Sequence, residues 1–256
     1  MQNSGEDGRP YQVDTMSFLS IDSYTMLAFV RDVYANLAIL CTVSIIQMLV
    51  VSLFKTKFSD VLPVPPFLWL VFAFAVLTLL NCTPRLRYKA PYNWVLAFIT
   101  VECVTLFTLY FLFLEDWYVM MGCGVLAVLI VTLFTYWGSK GPKGCMPTAA
   151  VATVIVATAL VGMFLFLVLS VLLNNLFILG LIFVLFILLV TVTIVQSELI
   201  HARMDYFPMG DQVGSAVTIF LCGWGVHSCF IFAIVVIKRA MAFDDQYKMH
   251  TIFFAT

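Results

Sequence analysis

An all-α membrane protein, folded as a seven-transmembrane-helix bundle, is the architecture expected of this chain on three grounds. Hydrophobic residues make up 63% of it and charged residues 11%, against roughly half and a quarter in ordinary soluble domains. Its apolar stretches reach roughly 17–25 residues, the length that crosses about 30 Å of hydrocarbon. Gly144–Ser197 carries no charged residue at all. The 13 Lys and Arg nearly balance the 14 Asp and Glu, so no strong field invites nucleic acid. The lipid bilayer is the expected partner.

In chain order, residues 1–28 begin polar and acidic, without the basic start and apolar core of a signal peptide, and are expected to form a flexible tail. The transmembrane domain then occupies residues 29–240, with a short tail over 241–256. The expected spans are Val33–Phe54, Phe67–Thr83, Asn93–Leu114, Tyr118–Trp137, Thr148–Leu173, Leu176–Gln196 and Val213–Ile237. The fifth and sixth divide the charge-free stretch. As one helix it would reach about 80 Å, so it must turn back. Asn174-Asn175 is its polar interruption and the predicted turn.

With seven spans, one side of the membrane holds Arg9, Arg31, Arg85, Arg87, Lys89, Lys140, Lys143 and Arg203. The other holds Lys55, Lys57, Lys238, Arg239 and Lys248. That bias predicts a cytosolic N-terminus, with the C-terminal cluster pulling the other way. The sequon Asn81-Cys82-Thr83 abuts the membrane on the predicted cytosolic side and should be unused. Gly138–Gly144 lacks phosphate-loop spacing and reads as a basic turn. The seven Cys form no CxxC pair, which fits packing residues better than a zinc site or disulfides. No cofactor is expected.

Few polar residues fall inside the spans. Glu102 lies near the middle of the third and His227 mid-way along the seventh, a turn beyond Gly223-Trp224-Gly225. Gln47 is deep in the first, and Gln196, Glu198 and His201 gather where the sixth ends. An ionisable group at membrane depth is expensive and must face the bundle interior or water, which marks Glu102, Glu198 and His227 as ion-pathway candidates. The competing reading is interhelical glue, with Glu102 bonded to Gln47 or His227. Glu198 and His201 are expected at the interface and solvated. Trp117, Tyr118, Tyr136 and Trp137 fall where rings anchor helices. No catalytic constellation is found: no mid-span Asp pair, no nucleophilic serine motif with a His partner, no paired haem ligands. The arginine motif and loop Cys pair of a seven-helix receptor are missing too.

Phe29-Val30-Arg31-Asp32-Val33-Tyr34 opens the first span, and Ala90-Pro91-Tyr92-Asn93 follows a basic loop and opens the third. These segments resemble the FVRKVY and basic–HPWN entries of the Bax-inhibitor-motif transmembrane family, especially its Lifeguard branch. Glu102 falls where several members carry a Glu, and Ile237-Lys238-Arg239-Ala240 resembles the end of the last helix. The seven-span layout and the tight fifth-to-sixth connection fit as well. The resemblance implies an endoplasmic reticulum or Golgi protein, with the plasma membrane as a further site. It also implies a leak of calcium ions from stores and negative regulation of cell death. One departure stands out. The family's leak is associated with two buried Asp residues, and the matching positions here are Gln196 and Gly225. Two function classes follow. One is a calcium leak through Glu102, with Glu198 and His227 standing in for the Asp pair. The other is a non-conducting protein that binds apoptosis-regulating or receptor membrane proteins.

Overall fold

The computed structural model describes residues 23–54, 64–111, 117–142, 144, 146–172, 177–204 and 210–253. They form α1 (Ser23–Phe54), α2 (Pro66–Cys82), a single helical turn at Pro84–Arg87, α3 (Tyr92–Phe111), α4 (Trp117–Lys140), α5 (Ala149–Leu172), α6 (Phe177–Ile200) and α7 (Gln212–Phe253). Six of them are long and apolar enough to cross a membrane, while α2, at 17 residues, is a shorter apolar helix. The expected turn at Asn174-Asn175 and residues 1–22 of the expected 1–28 tail lie outside the described residues, while residues 23–28 of that tail are helical in α1.

Proline placement explains much of the segmentation, since among the described residues no proline falls inside a helix beyond its first residue. Pro66 and Pro84 each open a helix, where the missing N–H is no loss. Pro84 also holds Thr83 in an extended conformation, which ends α2. Thr148 Oγ1 accepts from the Val151 N–H at 3.4 Å and caps α5. α6 ends in a Schellman motif. Ala202 takes a left-handed φ of 51°, and the Arg203 and Ala202 N–H groups reach back to the carbonyls of Glu198 and Leu199 at 2.9 and 3.2 Å.

Two helices overrun their expected spans by ten or more residues. α1 starts at Ser23 rather than Val33 because Arg31 and Asp32 pair with each other at 3.2 Å on its exposed side and do not break it. α7 continues past the Ile237-Lys238-Arg239-Ala240 segment to Phe253, with no Gly or Pro to stop it.

α7 is the hub of the bundle, packed against α1, α3, α4 and α6, whereas α2 packs chiefly on α3 and α5 on α6. The main core joins Val213, Ala216, Val217 and Phe220 of α7 to Phe29, Val33 and Leu40 of α1 and Ala97, Val101 and Val104 of α3. A second cluster of Met120, Cys123 and Ile231 closes α4 onto α7. Lipid tails are as apolar as leucine, so close approach at small residues must supply much of the packing energy. At Gly138 an added Cβ would lie 2.7 Å from both the Ile194 carbonyl oxygen and Ser197 Cβ, so α4 and α6 touch there almost backbone to backbone. The outer faces carry exposed Phe72 and Phe74 on α2, Val128 and Leu129 on α4, and Val161 and Phe164 on α5. Such surfaces suit lipid.

Candidate functional site

Glu102 lies about 15 Å along α3 from Tyr92. Gln47 Nε2 of α1 donates to both of its carboxylate oxygens at 2.6 Å. Beside this pair, the buried hydroxyls of Ser44 and Thr105 bond to each other at 2.8 Å. Ser44 and Thr105 are each one helical turn from Gln47 and Glu102 on their own helices. A turn further along α3, Thr108 accepts from Trp224 Nε1 of α7 at 2.6 Å and passes its own proton to the Val104 carbonyl at 3.0 Å. The interior of α3 is thus tied to both α1 and α7 by side-chain hydrogen bonds.

Glu198 sits elsewhere. It is only 4% exposed, which corrects the expectation of a solvated interfacial acid. α6 runs one turn beyond Gln196, and that turn rotates Glu198 inward beside the Arg203 guanidinium. Arg203 in turn donates from Nη1 to the Gly138 carbonyl at 2.9 Å and from Nη2 to the Gly141 carbonyl, capping the end of α4. Ser197 Oγ donates to the Thr135 carbonyl at 2.6 Å and is within reach of the Tyr34 hydroxyl. His201 stacks obliquely on Tyr34 and meets the Ser197 carbonyl through Nδ1 at 2.8 Å. Burial holds the His201 pKa below the usual imidazole range. The bond to Ser197 opposes that shift, and the nearby Lys140 and Arg203 charges add to it.

His227 points to a third place. Its Nε2 lies 3.3 Å from the Met120 carbonyl at the start of α4. Neither Glu102 nor Glu198 is its partner. Between Phe107, Thr108, Met120, Ser228, Ile231 and Phe232 there is a crevice of about 10 Å³, room for one water at most. Gly225 faces α6, where an added Cβ would come within 2.7 Å of Leu189 Cδ1. A carboxylate side chain has no space there without moving Leu189.

No family model, curated protein or solved structure matches this chain.

The sequence candidates therefore occupy three separate positions: Glu102 with Gln47 between α1 and α3, Glu198 at the end of α6, and His227 between α4 and α7. Glu198 and His227, the residues close to the Gln196 and Gly225 positions, lie apart: Glu198 beside Arg203 near the end of α6, and His227 against the Met120 carbonyl at the start of α4. Sequence reasoning had passed over an ion pair at the same end of the bundle as Glu198. Asp211 is 1% exposed at the head of α7 and is paired with Arg87 from the turn between α2 and α3. Ser44, Thr105 and Thr108 were also passed over. Spacing could have signalled two of them, since Ser44–Gln47 and Glu102–Thr105 are each one helical turn apart. Among the described residues, no group of three or more His, Cys, Asp or Glu could hold a metal ion.

Proposed function

We propose that this chain is an endomembrane protein of the Bax-inhibitor-motif kind, crossing the bilayer seven times with a cytosolic N-terminus. It restrains cell death by binding apoptosis-regulating or receptor membrane proteins, without catalysis and without conducting calcium. One observation carries the choice against conduction: the membrane-depth polar groups are engaged in helix–helix bonds at separate places. Glu102 holds Gln47, His227 holds the Met120 carbonyl, and Leu189 crowds the Gly225 position. An endoplasmic reticulum or Golgi location follows from the same resemblance.

The second reading, a calcium leak that regulates store calcium, is favoured by Glu102 itself. It is an acid at depth, only half-buried, and its bonded donor is a neutral amide. Calcium efflux from liposomes containing the purified protein separates the two readings. The non-conducting reading expects efflux equal to that of empty liposomes. An efflux above that level which Glu102→Gln abolishes would overturn it and establish the leak.

A further inference from the structure

Two hydrogen-bonded pairs join α1 to α3, Ser44 with Thr105 and Gln47 with Glu102, one helical turn apart along each helix. An ionised carboxylate among apolar side chains calls for positive charge nearby, yet no Lys or Arg pairs with Glu102 among the described residues. Its bonded donor is the neutral Gln47 amide, which reaches both carboxylate oxygens from a single nitrogen. The other branch of that amide, Gln47 Oε1, is buried without a hydrogen-bond partner. A half-turn of the amide would bring Oε1 onto the carboxylate. Three oxygens would then face one point, an arrangement that is repulsive unless a positive ion lies among them. The Ser44 and Thr105 hydroxyls lie one helical turn from Gln47 and Glu102 along their helices, and separating from each other would free both for ligation.

We propose that these side chains form a binding site for one dehydrated monovalent cation of the sodium class. The ligands are the Glu102 carboxylate, Gln47 Oε1, and the hydroxyls of Ser44 and Thr105. An all-oxygen set selects a hard ion over a soft one. A single carboxylate balances a single charge, so a monovalent ion leaves the pair neutral, whereas a divalent ion would strand net positive charge in a low-dielectric interior. Calcium also takes 6–8 oxygens, more than these residues offer. The bound ion would clamp α1 to α3. The proposal does not rest on either reading of the calcium leak, and its readout is a melting temperature, separate from efflux.

The experiment is thermal unfolding of the purified full-length protein in detergent micelles, in sodium chloride against choline chloride at equal ionic strength. The melting temperature should climb with sodium and saturate, as for any ligand bound only by the folded state. Glu102→Gln should lose the sodium-dependent part. Ser44→Ala, which removes one ligand, should raise the half-saturating sodium concentration by about tenfold. If Glu102→Gln does not fold, the parent and Ser44→Ala comparisons decide alone. Identical melting in sodium and choline would overturn the proposal, as would a Ser44→Ala midpoint equal to the parent's. A calcium response larger than the sodium one would overturn the monovalent assignment.

Discussion

Gly138→Ala should destabilise the bundle even though alanine is the better helix former. The added methyl would sit 2.7 Å from the Ile194 carbonyl oxygen and from Ser197 Cβ, where non-bonded carbon atoms prefer about 3.5–4.0 Å. α6 would have to retreat by roughly 1 Å. That movement strains the Ser197 bond to Thr135 at 2.6 Å and the Arg203 bond to Gly138 at 2.9 Å. Overpacking of this kind costs about 1–3 kcal/mol, and helix propensity returns at most about 1 kcal/mol. A net loss near 1–2 kcal/mol lowers the melting temperature by about 2–4 °C per kcal/mol. The assay is a thermal melt in detergent followed by size-exclusion chromatography. Gly122→Ala serves as the reference, because a Cβ there meets nothing within 4 Å. Gly138→Ala melting at or above both the parent and Gly122→Ala would refute the close crossing of α4 and α6.

Four other outcomes are expected. Burial lowers the His201 pKa in the folded state, so as pH falls through about 6.5 the unfolded chain takes up a proton more readily than the folded one. Stability should therefore fall as pH drops through that value, and His201→Gln should flatten the slope in acid melts. Arg87→Ala strands the buried Asp211 carboxylate and should cost about 3 kcal/mol. A double-mutant cycle with Asp211→Asn should recover most of that loss, and additive losses would disprove the coupling. Ala202→Gly should raise the melting temperature, since a side chain in the left-handed region costs roughly 1–2 kcal/mol. Glycosylation acceptors inserted beside Lys140 should stay bare while spaced acceptors beside Asn174 are used, and modification near Lys140 would reject the proposed seven-span orientation.

Span positions were legible because long apolar runs and proline breaks are local signals. α5 matches its expected limits closely at both ends and α6 at its start. What failed was the edge of the membrane. Arg31-Asp32 and Lys238-Arg239 mark where charge begins, but a helix can run on through charged residues with its backbone still bonded. The inward turn of Glu198 had a trace in sequence: Thr193, Ser197 and Ile200 define a buried stripe that Glu198 adjoins. The Gln47–Glu102 bond could be anticipated because both polar groups are stranded at depth and each is the other's cheapest partner. The bond of His227 could not. Its acceptor is a backbone carbonyl, which every residue possesses, so composition and spacing carry no mark of it.

Placing the hub of the bundle in its last helix fixes the order of events during synthesis. α1 leaves the ribosome first, but its most extensive neighbour, α7, is encoded at the opposite end of the chain. At roughly 5–20 residues per second, α1 waits on the order of ten seconds for that partner. Over this interval Val33 and Leu40 can meet their α3 neighbours, but on the side that α7 will cover they have only lipid, the insertion machinery or a chaperone to lean on. Assembly is therefore completed after insertion and cannot proceed helix by helix. A chain cut short anywhere before Gln212 loses the common neighbour of α1, α3, α4 and α6 together. Truncation just before Gln212 should be as damaging to this bundle as truncation within α4, and such products should be cleared by membrane quality control rather than persist as partly working bundles.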